Sequence, residues 1–134
     1  MIQQGKITNN SLNKTIVCNK KIVDLSSPLV MGIANLTDDS FYDGGCYNDF
    51  ERAKARIDEL VQQKADIIDI GACSTRPGAK LVSAKEEIER LVPVVRYTKK
   101  TYPDSIVSID TVWSEVSRAC VGEGADIIND ISGG

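Results

Sequence analysis

Four short apolar runs, each ending in polar residues and each separated from the next by a helical pattern, limit what this chain can fold into. They are "LVMGIANL" at 29–36, "ADIIDIGA" at 65–72, "SIVSIDT" at 105–111 and "ADIINDIS" at 125–132. None shows the strict alternation of a sheet with one wet face, so each reads as a strand buried on both sides. Between them, apolar residues recur at helical spacing. Phe50, Ala53, Ile57, Leu60 and Val61 form one set. Ile88, Leu91, Val92 and Val95 form a second, and Val116, Ala119 and Cys120 a third. Strand, helix, strand, helix, strand, helix, strand implies a parallel sheet with helical crossovers.

Local signals refine this order. Ser83 with Glu86 has the spacing of a capping box, and Asn48 with Glu51 has it with Asn in place of Ser or Thr. Pro93 is expected to kink or restart the second helix. Gly122 or Gly124 can end the third. Upstream, "KTIVCN" and "KKIVDL" read as a hairpin over 15–27, turning near Asn19-Lys20, with the βα units following over 29–134. "ADIID" at 65–69 and "ADIIND" at 125–130 are nearly the same words, each after a helical pattern. A repeating βα unit favours a (β/α)8 TIM barrel, which takes about 250 residues and eight strands. This chain of 134 residues supplies four. The expected fold is therefore α/β: strands one to four, the first half of such a barrel, with two open parallel edges and a bare inner face.

Composition narrows the partners. At 42% apolar and 26% charged, the chain is ordinary for a globular protein. A net charge of −3 argues against a nucleic-acid surface and offers no basic patch to a membrane. The polar start lacks an apolar leader core, and no run reaches the length of a membrane span, so a cytoplasmic chain is expected. Cys18, Cys46, Cys73 and Cys120 are scattered without a C-x-x-C pair, which reads as reduced thiols rather than a zinc site. With no histidine, a Ser-His or Cys-His nucleophile cannot be built from this chain alone.

In parallel α/β folds ligands bind at the carboxyl ends of the strands. Here those ends carry Asn35 with Thr37, Asp38, Asp39 and Ser40; Asp69 with Ser74, Thr75 and Arg76; Asp110 with Thr111; and Asn129 with Asp130. Each taken singly reads equally well as a loop or helix cap. Four in one register point to a shared rim. Asp39 and Asp43, on a glycine-flanked loop, read as loop formers, Phe41 as an anchor of that loop, and Cys73 as a small apolar packer. Arg76 beside the rigid Pro77-Gly78 turn suits an anion such as phosphate. Asp110 and Asn129 suit the edge of a polar heterocycle, and Asn35 can offer an oxygen to Mg²⁺ bridging the anion.

These stretches resemble the dihydropteroate synthase family of pterin-binding enzymes. "MGIANLTDDSFYDGG" resembles its first-loop signature, "DIIDIGACSTRPGA" its second signature and loop, and "VSIDT" and "GADIINDISGG" its third and fourth strands. The resemblance runs over about residues 29 to 134. It implies condensation of 6-hydroxymethyl-7,8-dihydropterin pyrophosphate with 4-aminobenzoate, with Mg²⁺ as cofactor and a homodimeric full-length enzyme. It also implies roles for single residues. Asp110 and Asn129 would hold the pterin ring, and Asn35 would contact Mg²⁺ and pyrophosphate, with Thr75 and Arg76 near that leaving group. Asp39, Ser40, Phe41 and Asp43 would lie on the first loop, and Phe41 and Pro77 would line the aminobenzoate pocket where sulfonamides compete. Asp110, Asn129 and Arg76 are the expected catalytic set.

Two positions depart from the family pattern: Asp38 stands where Pro is usual, and Cys73 where an acidic or amide residue is usual. The family's later strands supply a further pterin-binding Asp, a Lys, and an Arg and His at the anion site. None maps here, so this polypeptide alone is expected to be inactive or nearly so, as a fragment of the full enzyme. Two other readings compete: a methyltetrahydrofolate-binding methyltransferase, which shares the pterin barrel, and a non-catalytic half-barrel that pairs with itself.

Overall fold

A computed structural model describes residues 14–36, 46–72, 78 and 81–133, apart from the side chains of 46–48. Strands β1 (Thr15–Cys18) and β2 (Lys21–Asp24) form the expected antiparallel hairpin, with Cys18 facing Lys21. Asn19 and Lys20 both take positive φ, 43° and 70°, as the two-residue turn that matches strand twist requires. Lys21 ties the hairpin to the entry of a later strand through Asp104 at 3.1 Å and the Pro103 carbonyl at 3.2 Å.

The remainder follows the predicted alternation: β3 (Met31–Asn35), α1 (Cys46–Gln62), β4 (Ile67–Gly71), α2 (Ala84–Thr101), β5 (Ile106–Asp110), α3 (Ser114–Gly122) and β6 (Ile127–Asn129). The four strands form one parallel sheet in the order β3-β4-β5-β6. The helices cover one face. Ala34, Ile68, Ile70, Val107 and Ile109 pack there against Ala53, Ile57, Leu60, Leu91, Val94, Val95 and Val116 as one core. Removing that much apolar surface from water supplies most of the driving force for this half of the sheet.

The other face is the inner face that four strands alone are expected to leave bare, and it is bare unevenly. β4 is buried throughout. On the edge strand β3, however, Met31 and Ile33 are 42% and 53% exposed. A continuous apolar run marks a strand meant to be covered on both faces; among the described residues the second cover is absent.

Ser83 caps α2 as a full capping box with Glu86. The Asn48 reading is corrected. α1 begins at Cys46, so Asn48 is inside its first turn, and Glu51 pairs instead with Lys54 at 2.8 Å. Pro93 does not restart the helix: α2 runs unbroken from Ala84 to Thr101 through it. Burial of Leu91, Val94 and Val95 on either side holds the helix together across the lost backbone donor.

The "ADII" echo has a structural meaning. After α1, Lys64 takes φ 60°, its N–H bonds to the Val61 carbonyl and that of Ala65 to Leu60. After α3, Gly124 takes φ 103°, with the same pair of bonds from Gly124 to Val121 and from Ala125 to Cys120. This is one helix stop used twice. The Asp that follows then grips the neighbouring chain by both backbone groups. Asp66 donates its N–H to the Val30 carbonyl (2.9 Å) and accepts from Val30 N–H (2.8 Å); Asp126 does the same with Val107 at 2.8 and 2.9 Å. Register is thus set at the amino ends of β4 and β6, and the opposite ends are left to present side chains. Lys99 completes the second grip, at 2.9 Å from the buried Asp126 carboxylate.

Candidate functional site

In a parallel sheet, register partners point to the same side and successive residues to opposite sides. Asn35 pairs with Gly71, Gly71 with Asp110, and Asp110 with Asn129. These four therefore form one row across the carboxyl end of the sheet, on the face away from the helices. One step lower on the same face lies a second row, Ile33, Asp69, Ser108 and Ile127. Asp110 and Asn129, expected to share a cavity, are direct neighbours on parallel strands.

The two rows are connected. Asn129 Nδ2 donates to Asp69 Oδ2 at 3.4 Å. Gly71 keeps the upper row open: a Cβ there would lie 3.2 Å from Asp110 Cβ, 3.4 Å from Asp110 Oδ2 and 3.6 Å from Asn35 Oδ1. So a carboxylate and an amide oxygen converge on the space above a glycine. Burial holds the Asp110 carboxyl above the ordinary carboxylate range, and the negative charge of Asp69 raises it further.

Thr111 turns to the helix side. Its hydroxyl donates to Glu87 Oε2 at 2.7 Å and accepts from Trp113 N–H at 3.1 Å, which pins the chain directly after Asp110. Glu87 is 1% exposed. Burial raises its pKa, the Thr111 hydrogen bond opposes the rise, and the charge of Asp110 adds to it. Asp130, at the same strand end as Asn129, accepts from Ser132 N–H (2.8 Å) and hydroxyl (2.6 Å) and closes the turn after β6.

Of the expected site residues, the structure places Asn35, Asp110 and Asn129 together. Asp39, Ser40, Phe41, Asp43, Thr75, Arg76 and Pro77 lie outside the described residues, as do Asp38 and Cys73. Asp69, expected at the rim, lies one row below it, and Gly71, Ser108 and Glu87 have no assigned role in the sequence reading. Cys120 is no nucleophile: burial first, then Glu87 and Glu123, push its thiol up to about 11.

Among the described residues no group of three acidic, His or Cys side chains could hold a metal ion. Asn35 offers one exposed amide oxygen, with Asp110 Oδ2 across Gly71. That donor set does not make an all-protein cage. It fits a hard cation such as Mg²⁺ that takes one or two protein oxygens and completes its shell with phosphate and water.

A parallel α/β sheet with a polar row at the strand carboxyl ends has the architecture in which small polar ligands are commonly held there. Comparison with known proteins narrows the class. The profile of the pterin binding enzyme family matches residues 31–134, and the chain belongs to that family. A dihydropteroate synthase of Streptococcus pyogenes serotype M1 is 45% identical over 114 residues, covering 85% of this chain and 42% of that protein. Among solved structures, Xanthomonas albilineans dihydropteroate synthase with 4-aminobenzoic acid aligns with a TM-score of 0.80 at 43% identity, covering 87% of this chain and 42% of that one. The Burkholderia cenocepacia enzyme complexed with 7,8-dihydropteroate gives 0.73 at 36% identity, covering 87% and 38%. The chain thus spans well under half the length of these relatives and matches their N-terminal part.

Proposed function

We propose that this chain carries the N-terminal part of a dihydropteroate synthase site, which joins 6-hydroxymethyl-7,8-dihydropterin pyrophosphate to 4-aminobenzoate. The observation that carries this reading is the row Asn35–Gly71–Asp110–Asn129 on one face of a parallel sheet. The synthases it aligns with were solved with 4-aminobenzoic acid and with 7,8-dihydropteroate.

In the reaction the bond from the pterin methylene carbon to the pyrophosphate oxygen breaks, and pyrophosphate leaves with the electron pair. The aniline nitrogen then bonds to that carbon and gives up a proton. Asp110 and Asn129 hold the pterin edge, and the Asp110 carboxylate faces the positive charge that develops on the ring as pyrophosphate departs. That is electrostatic stabilisation of the transition state, with no covalent bond to the protein. Asn35 would hold Mg²⁺ against the pyrophosphate, where the ion supplies charge neutralisation of the leaving group. Thr75 and Arg76 would belong beside that same anion, Phe41 and Pro77 would line the aminobenzoate pocket, and Asp39, Ser40 and Asp43 would lie with Phe41 on the first loop. A homodimeric, cytoplasmic full-length enzyme is part of the same reading.

The test is a chimaera in which residues 31–134 replace the matching segment of the S. pyogenes enzyme. We expect it to form dihydropteroate, and Asp110→Asn within it to lower kcat/KM at least about 100-fold. A folded chimaera with no turnover, or one indifferent to Asp110→Asn, contradicts the proposal.

A further inference from the structure

We infer that Asp69 is a positioning residue: it sets which way the Asn129 amide faces, and so what Asn129 offers to a ligand. This rests on the proposed pterin site for its functional consequence but not for its geometry. Asp69 is 5% exposed, in the middle of β4, and it is a register partner of Ser108 on the inner face. Its Oδ2 accepts from Asn129 Nδ2 at 3.4 Å. Its Oδ1 and the neighbouring Ser108 Oγ are both buried and have no hydrogen-bond partner among the described residues. Buried polar atoms are nearly always satisfied, so Asp69 Oδ1 and Ser108 Oγ are exceptions in this layer.

The orientation follows from elementary chemistry. A carboxylate only accepts, and an amide has one accepting end and one donating end. With its donating end drawn down to Asp69, Asn129 must present its oxygen upward, beside Asp110. The upper row then offers two acceptors side by side. That pattern matches a ligand edge with two adjacent N–H donors and rejects an edge with an acceptor in the same place. Without Asp69 the amide is free to turn, and half of this pattern is lost.

The test uses the 134-residue chain and two readouts. The first is hydrogen exchange of the Asn129 side-chain amide, followed by NMR without any ligand. In the unsubstituted chain, one Nδ2 proton should exchange at least about tenfold more slowly than those of the exposed Asn19. Asp69→Leu should remove that protection, and Asp69→Asn, whose side-chain oxygen still accepts, should restore most of it. The second readout is calorimetric binding of 7,8-dihydropteroate. Asp69→Leu and Asn129→Leu should each weaken it about 10- to 100-fold, Asp69→Asn less than about fivefold, and the double Leu variant no more than Asn129→Leu alone.

Additive losses in the double variant, or an unprotected Asn129 amide in the unsubstituted chain, overturn the inference. Should Asp69→Leu not fold, the protection in the unsubstituted chain and in Asp69→Asn decides it. If the unsubstituted chain shows the protection but the folded chimaera forms no dihydropteroate, the positioning role stands and the proposed function fails, so the two failures are distinct.

Discussion

Gly71 stands between Asn35 and Asp110 on the inner face, and a Cβ at that position would press to 3.2 Å on Asp110 Cβ. The absence of a side chain is what lets a carboxylate and an amide oxygen share one space. Gly71→Ala forces the β4 or β5 backbone to give, since Asp110 Cβ is fixed by its own strand. We expect a loss of about 1–3 kcal/mol of stability in urea denaturation. We also expect weaker pteroate binding out of proportion to that loss, because the displaced group is Asp110 itself.

Asp110 carries an opposed stability and function role. Its folded pKa lies above the ordinary 3.8, through burial first and the charge of Asp69 second. A raised carboxyl contributes stability that is fully present below the unfolded value and is lost as pH rises through the folded one. Asp110→Asn removes the titration. The variant should therefore melt higher than the unsubstituted chain at pH 7, with the gap closing as pH falls below about 4. Binding of 7,8-dihydropteroate at pH 7 should fall about 10- to 100-fold in the same variant, since a charge-assisted acceptor is lost. Thermal melts and calorimetry at pH 3.5 and 7 check both signs.

Lys64 and Gly124 occupy the same left-handed position after α1 and α3, at φ 60° and 103°. Lys64 bears the steric cost of a Cβ there, and Gly124 does not. Lys64→Gly should stabilise the chain by about 0.5–1 kcal/mol. Gly124→Ala should destabilise it by about 1–2 kcal/mol, and the new methyl would also meet the Lys99 side chain at 3.4 Å. Urea midpoints for the pair should therefore move in opposite directions.

Much of this architecture was legible in the residues. The apolar runs and helical spacings placed every strand and helix of the sheet, and Ser83-x-x-Glu86 marked a helix start that the structure keeps. The "ADII" echo was visible as words, but its purpose was not, because the grips of Asp66 and Asp126 on Val30 and Val107 are made across strands. Asn48 misled because a capping pattern is local, while α1 starts two residues earlier. Thr111 reads as a rim residue because sequence gives a strand's end only to within a residue or two. One residue of slip reverses the face, and that sends Thr111 to Glu87. Parity along "IIDIG" also places Asp69 beneath Asn129, a relation that needs the register of three strands at once.

The most direct test of the central claim is a titration of the isotope-labelled chain with 7,8-dihydropteroate, read at side chains by NMR. The Asp110 carboxyl carbon and the Asn129 side-chain amide should shift together, saturably and with one Kd, while Asp126 and Lys99 at the far end of the sheet stay still. Saturable binding that moves neither Asp110 nor Asn129, or no binding at millimolar ligand, would contradict the account.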